Sequence, residues 1–182
     1  MFPMTRPSRR PATPEEAKAL ANPLRLRIIR LCLDQALTNK QLAEHLGKDP
    51  GTLLHHVRCL VDTGFLVAEE VRQGEHGAFE RPYRSTGKSW TLDVTDSDAG
   101  EWSPLVSQAA LEAFRAELEE AGPNAMESDA RLGLTLNDAS LKELRERLGA
   151  VVEEFAERPP DADGKPYGVY FAIHRRRRVN GA

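Results

Sequence analysis

Between Thr38 and Leu66 the chain reads TNKQLAEHLGKDPGTLLHHVRCLVDTGFL, two short helical patterns interrupted by one glycine and one proline. Thr38-Asn39-Lys40-Gln41 has the form of a capping box, in which a Thr hydroxyl and a Gln side chain close the open N–H groups of a helix start. Leu42 and Leu46 turn one face of that helix inward, and Gly47 breaks it. Pro50 opens the second helix, where Leu53, Val57, Leu60 and Val61 recur at i, i+4, i+7 and i+8. Gly64 ends it and an extended segment begins at Phe65. This run of starts and stops demands a helix, a tight turn, a second helix and a strand, in that order.

The flanks extend the pattern. Residues 1–13 are rich in Pro and Arg and read as a disordered arm. Thr13-Pro14-Glu15-Glu16 starts a helix with a capping Thr, Pro at the first position and two acids at the positive helix end. It ends near Asn22-Pro23. The next helix carries Leu24, Ile28 and Leu31 on one face and Leu26, Ile29 and Leu33 on an adjoining one, so it is central and buried on two sides. Phe65–Arg72 and Arg81–Thr86 flank the turn QGEHGAFE as a β-hairpin. Helix-turn-helix plus hairpin makes a winged helix-turn-helix over residues 14–90.

After the acidic linker TLDVTDSDAGE, a long helix covers Ser103–Ala121 and stops at Gly122-Pro123. Leu132, Leu134 and Leu136 alternate like a half-buried strand. Asn137-Asp138 caps another helix, with Leu141, Leu144, Leu148, Val151 and Phe155 at near-heptad spacing. Tyr167, Val169, Phe171 and Ile173 alternate again as a closing strand. The expected fold is mainly α with a small β-component: a winged helix-turn-helix followed by a C-terminal α+β dimerisation or ligand module over 103–174. In that module Ala109, Ala110 and Ala113 permit close approach of a second copy, which makes 103–121 the expected dimer helix. Trp102, Phe114, Leu134, Phe155 and Tyr170 could line a pocket for a small-molecule effector, or be core or dimer interface.

The net charge of −3 hides an uneven distribution. Residues 1–90 carry 14 Lys/Arg against 10 Asp/Glu, residues 91–171 carry 7 against 18, and residues 172–182 add four arginines. A basic front half suits a nucleic-acid partner. Cys32 and Cys59 sit within apolar helical patterns and read as buried thiols in a reducing cytoplasm rather than a disulfide. No apolar run approaches the 18 or so residues of a membrane span, and the first residues lack the apolar stretch of a secretory signal. The sequence holds no H-E-x-x-H, G-x-S-x-G, Walker or G-x-G-x-x-G motif, so an enzyme is the least favoured class. Cys32, Cys59, His55 and His56 match no zinc-finger spacing. No cofactor or metal is expected.

In a helix-turn-helix the second helix enters the major groove of double-stranded DNA, its N-terminal residues meeting base edges. With Leu53, Val57 and Leu60 facing the core, Thr52, His55, Arg58 and Asp62 fall on the opposite side. Thr52 and His55 can reach bases, and Arg58, further along, favours phosphate. His56 either reaches a phosphate or is a boundary histidine. The N–H groups of Gly51 and Thr52 suit a phosphate oxygen. Thr38, Gln41 and Lys48 can flank the DNA backbone. The hairpin supplies Arg72, Arg81, Tyr83 and Arg84 to phosphates or the minor groove, with Glu75 and Glu80 tempering the affinity. The run His174–Arg178 reads as a solvated tail or a counter-charge to the acidic half, ahead of a second phosphate contact.

Over residues 20–90 the chain resembles the ArsR-like winged helix-turn-helix family of bacterial repressors. LANPLRLRIIRLC, TNKQLAEHLGKDPGTLLHHVRCLVDTGFLV and RPYRSTG carry the resemblance, with Pro23, Arg25, Leu42, Ala43, Leu46, Thr52, His56, Leu60 and Gly64 on the family's positions. The resemblance implies a homodimeric transcriptional repressor on a near-palindromic operator. Leu54 stands where the family has Ser, and His55 where a polar or basic residue is common. The C-x-C motif of the family's metal sensors is absent from NKQLAEH, so metal sensing is not supported. The alternatives are a winged-helix protein-interaction module and a metal-responsive repressor with an unconventional site.

Overall fold

Helices in this chain start where a polar side chain can accept from the open N–H groups of a first turn. In the computed structural model, which describes residues 9–74, 77, 79–94 and 100–177, Thr13 caps α1 (Pro14–Leu20) and Asn22 caps α2 (Pro23–Asp34). After the short strands β1 (Arg10–Pro11) and β2 (Leu37–Thr38), Thr38 caps α3 (Asn39–Leu46) and Asp49 caps α4 (Pro50–Asp62). Both Thr caps are full capping boxes, with Glu16 and Gln41 closing them. Gly47 ends α3 at φ +60°, a left-handed conformation that glycine adopts without steric cost.

The chain divides into two units, Met1–Pro123 and Asn124–Ala182. In the first, Ile28, Ile29 and Cys32 of α2 lie at the centre of a core shared with Ala17 and Leu20 of α1, Leu42 and Leu46 of α3, and Leu53, Val57 and Leu60 of α4. Phe65 and Leu66 close it from below as the chain enters β3 (Leu66–Ala68). Strands β4 (Arg72–Gln73) and β5 (Phe79–Glu80) pair antiparallel, and β6 (Pro82–Ser85) returns between β2 and β3. This is the expected wing, with β2 as an additional strand. The turn residue Glu75 lies outside the described residues.

The arm departs from expectation at residues 9–13. Arg10–Pro11 pairs in parallel with β7 (Leu92–Asp93), the Ala12 N–H donates to the Asp93 carbonyl at 2.8 Å, and the Ala12 side chain is buried. Residues 1–8 lie outside the description. The 91–101 stretch, read from sequence as linker, therefore supplies a strand at its start; residues 95–99 also lie outside the description.

The helix α5 (Ser103–Ala121) has the expected ends. It packs on α2 and α1 in the first unit, with Ala109 and Ala113 buried. Arg27 of α2 pairs with Glu120. Burial pushes the Glu117 carboxyl up, opposed by the nearby charges of Arg30 and Arg27. The small residues expected to meet a second copy thus let α5 lie close against its own chain, and the boundary between units falls after α5 rather than before it.

The second unit contains α6 (Asp138–Ala156), capped by Asn137 as its sequence indicates. The two strands expected beside it are not formed: residues 131–136 and 167–173 have no regular hydrogen-bonded structure. None of the described residues in this unit is buried. An alternating apolar pattern becomes a strand only where another strand pairs with its backbone, and among the described residues of this unit none does. Of the residues expected to line a pocket, Trp102 and Phe114 belong to the first unit and Leu134, Phe155 and Tyr170 to the second.

Candidate nucleic-acid interface

The helix α4 turns Leu53, Val57 and Leu60 inward and leaves Gly51, Thr52, His55, Arg58 and Asp62 exposed. Its attitude is set from both ends. At the start, the Asn39 amide nitrogen donates to the Pro50 carbonyl at 2.9 Å, linking the first turn of α3 to the first turn of α4. Along its length, Arg25 of α2 donates to the Cys59 Sγ at 2.9 Å and to the Lys18 carbonyl at 2.8 Å. At the end, Lys88 donates to the Thr63 carbonyl at 2.6 Å and stands over the Phe65 ring.

Lys88 is held there by Glu16. The Glu16 carboxylate accepts from Lys88 at 2.6 Å, from both terminal nitrogens of Arg10 and from the Thr13 N–H at 2.9 Å. The Arg10 guanidinium, with Lys88 and Thr13 adding to it and burial opposing, lowers the Glu16 carboxyl to about 2. One buried carboxylate therefore joins the N-terminal arm, α1, the segment after the wing and the end of the exposed helix.

The structure sorts the candidate residues. Thr52, His55 and Arg58 share the open face of α4. His56 lies at the boundary, half-buried, with its Nδ1 sealed from solvent and without a hydrogen-bond partner. Burial, then the charges of Arg25 and His55, lower its pKa, so it is a neutral ring at pH 7 and not a phosphate cation. Thr38 is buried, its hydroxyl capping α3, and the amide oxygen of the exposed Gln41 accepts from the Thr38 N–H at 3.0 Å. Only the amide NH2 of Gln41 remains for a phosphate.

Asp49, unremarked in the sequence, changes the helix start. Its carboxylate accepts the Thr52 N–H at 2.9 Å, so that group is not open to a phosphate, and a negative charge stands where an anion would have come. A cap residue directly before Pro50 is a signal the sequence contained. Asn39 and Arg25 tie α4 to its neighbours through contacts that no local sequence pattern signals.

In the wing, Arg72 and Arg81 are exposed. Arg84 is half-exposed and its Nε is engaged by Glu69, the residue just after the paired strand β3. Tyr83 is half-buried and packs against the core. Lys48, exposed in the turn between α3 and α4, also lines an open groove of about 510 Å³ with Pro23, Leu24, Arg27, Leu111 and Arg115 among its walls. Cys32 is buried in the core, its thiol pushed up to about 11 by burial, and Cys59 is half-buried; both are free thiols.

Residues 22–67, from the cap of α2 to the first strand of the wing, match the family model of the bacterial regulatory protein, arsR family. Over this segment the chain is similar to the ArsR-family helix-turn-helix. The match spans α2, α3, α4 and the entry to β3, the elements that fix the open face of α4. No curated protein matches the chain. With the wing following directly, this similarity supports a DNA-binding transcription regulator. Among the described residues no helix is long and apolar enough to cross a membrane.

Proposed function

We propose that the chain is a cytoplasmic repressor that binds a near-palindromic operator as a homodimer. Residues 14–90 carry the DNA contacts and the region from 103 to 174 carries self-association and any effector response. The observation that carries the reading is the open face of α4: Thr52 and His55 in its first two turns, with Arg58 one turn on, and no apolar side chain among them. Thr52 and His55 would meet base edges, Thr through its hydroxyl or methyl and His by donating to guanine. Arg58, Arg72, Arg81 and Lys48 would grip phosphates, fixing register without reading sequence. An effector would enter the groove beside Lys48, where its occupancy is adjacent to the turn that aims α4.

The test is fluorescence anisotropy on DNA from upstream of the chain's own gene and on random duplex, across a salt series. Thr52→Ala and His55→Ala should cut discrimination between the two. Arg58→Ala and Arg81→Ala should weaken both equally and reduce the salt slope by about one each. Equal losses on both duplexes for all four variants would leave α4 as a general phosphate binder and end the operator reading. Binding to neither duplex by the unmodified chain would turn the balance to a protein-interaction module.

A further inference from the structure

Among the described residues of its own unit, the apolar seam of α6 is only partly covered, with Arg158 standing over the Phe155 ring. Leu141, Leu144, Leu148, Val151 and Phe155 follow one another at spacings of three and four residues. Leu141 and Leu144 are half-buried, while Leu148, Val151 and Phe155 are 38%, 54% and 61% exposed. A 3-4 repeat of this kind is the seam along which one helix receives another of the same repeat. Small residues beside it leave room: a Cβ added at Gly149 would meet nothing within 4 Å.

The charges flanking the seam decide the occupant and its direction. Arg147 and Glu154 occupy the equivalent edge position of successive heptads, one basic and one acidic. In an antiparallel pair, like edge positions face each other across the seam. One alignment sets Leu148 against the partner's Val151 and Leu144 against the partner's Phe155. It brings Arg147 opposite the partner's Glu154, and two-fold symmetry repeats the contact. Shifting by one heptad in either direction instead puts Arg147 against the partner's Arg147, or Glu154 against the partner's Glu154. A parallel pair sets Arg147 against the partner's Val152 and gains no ion pair.

We infer that α6 is a self-association helix whose partner is α6 of a second copy, antiparallel and in the register that pairs Arg147 with Glu154 of the other chain. This rests on the homodimer reading above and adds its surface. It also gives the dimer a place other than α5, whose small-residue face is occupied within the first unit. At present Arg147 and Glu154 pair along their own helix, with Glu143 and Arg158. Such exposed pairs exchange partners at little cost.

The experiment is sedimentation equilibrium of the full chain, unmodified and as Arg147→Glu, Glu154→Arg and the double swap, with helix content followed by circular dichroism. Each single reversal turns two attractions into two repulsions and should raise the dimer Kd about tenfold. The double swap should recover the unmodified value to within about threefold, the remainder reflecting the two pairs inside each helix that the swap leaves like-charged. A dimer indifferent to the single reversals, or a double swap no better than the singles, overturns the α6 assignment and leaves the homodimer reading standing. A chain that is monomeric at every concentration overturns both.

Discussion

Replacing Glu16 by Gln should loosen the recognition helix from a distance. Glu16 is 6% exposed and its carboxylate receives Arg10, Lys88 and the Thr13 N–H. Its carboxyl falls from 4.5 to about 2, and at about 1.4 kcal/mol for each pKa unit this sets a ceiling of about 3.4 kcal/mol on its contribution near neutral pH. The Arg10 side chain is half-exposed, so solvent screens part of that attraction, and about 2 kcal/mol is the working figure. Because the folded value lies below the unfolded one, the contribution is present in full above about pH 4.5 and is lost as pH falls towards 2. The assay is urea unfolding followed by Trp90 and Trp102, both in the first unit. The variant should be about 2 kcal/mol less stable at pH 7, and the gap should narrow steadily between pH 4.5 and pH 2.5. Operator affinity should fall as well, since Lys88 loses the anchor that holds it on Thr63. A gap that stays constant over this range, or one below about 0.5 kcal/mol at pH 7, the scale of an exposed ion pair, would refute the reasoning.

Three further substitutions separate roles that the structure assigns. Asp49→Asn keeps the cap on α4, since Asn caps as well as Asp, while removing a negative charge beside the bound DNA. Stability should change by less than about 0.5 kcal/mol and affinity for all duplexes should rise a few-fold at low salt, read by anisotropy. Gly47→Ala places a side chain at φ +60° in otherwise open space and should cost about 1 kcal/mol of conformational strain in urea unfolding, with no packing penalty. Ala113→Leu overfills the contact of α5 with α2. It should cost the first unit about 2 kcal/mol while leaving the dimer Kd unchanged, whereas a helix meeting a second copy there would show the reverse.

What was legible in the sequence was what is decided locally. Thr13, Thr38 and Asn137 each mark a helix start because a cap acts on N–H groups two or three residues away. The 3.6 period fixed which side of α4 faces the core for the same reason. Residues 131–136 and 167–173 show where local information stops. Their alternation tells which side wants burial, but strand formation depends on a backbone neighbour that no local pattern names. Ala109 and Ala113 are a similar case: small residues say that a helix can come close, not which one. At the interface, Thr52, His55 and Arg58 could be placed by period alone. The fates of Thr38, His56 and the Thr52 N–H turned on competition for hydrogen bonds, with Gln41, with burial and with Asp49, and only coordinates rank such competitors.

The same competition reduces the positive charge that DNA can meet. Residues 1–90 hold 14 Lys and Arg, yet several are already engaged: Arg10 and Lys88 with Glu16, Arg27 with Glu120, Arg84 with Glu69 and Arg25 with Cys59 and Lys18. Around the helix-turn-helix and the wing, Lys48, Arg58, Arg72 and Arg81 are exposed with no ion pair among the described residues. Four phosphate contacts per copy at about 0.9 in the salt exponent each give a slope of about −7 for log K against log salt in a dimer. Were the engaged arginines released onto phosphates, Arg84, Arg10 and Arg27 would carry the slope beyond about −12. A salt titration of operator binding between about 50 and 200 mM distinguishes the two. The steeper slope would mean that DNA breaks the ion pairs that position α4, a rearrangement inconsistent with a recognition face already set in the free chain.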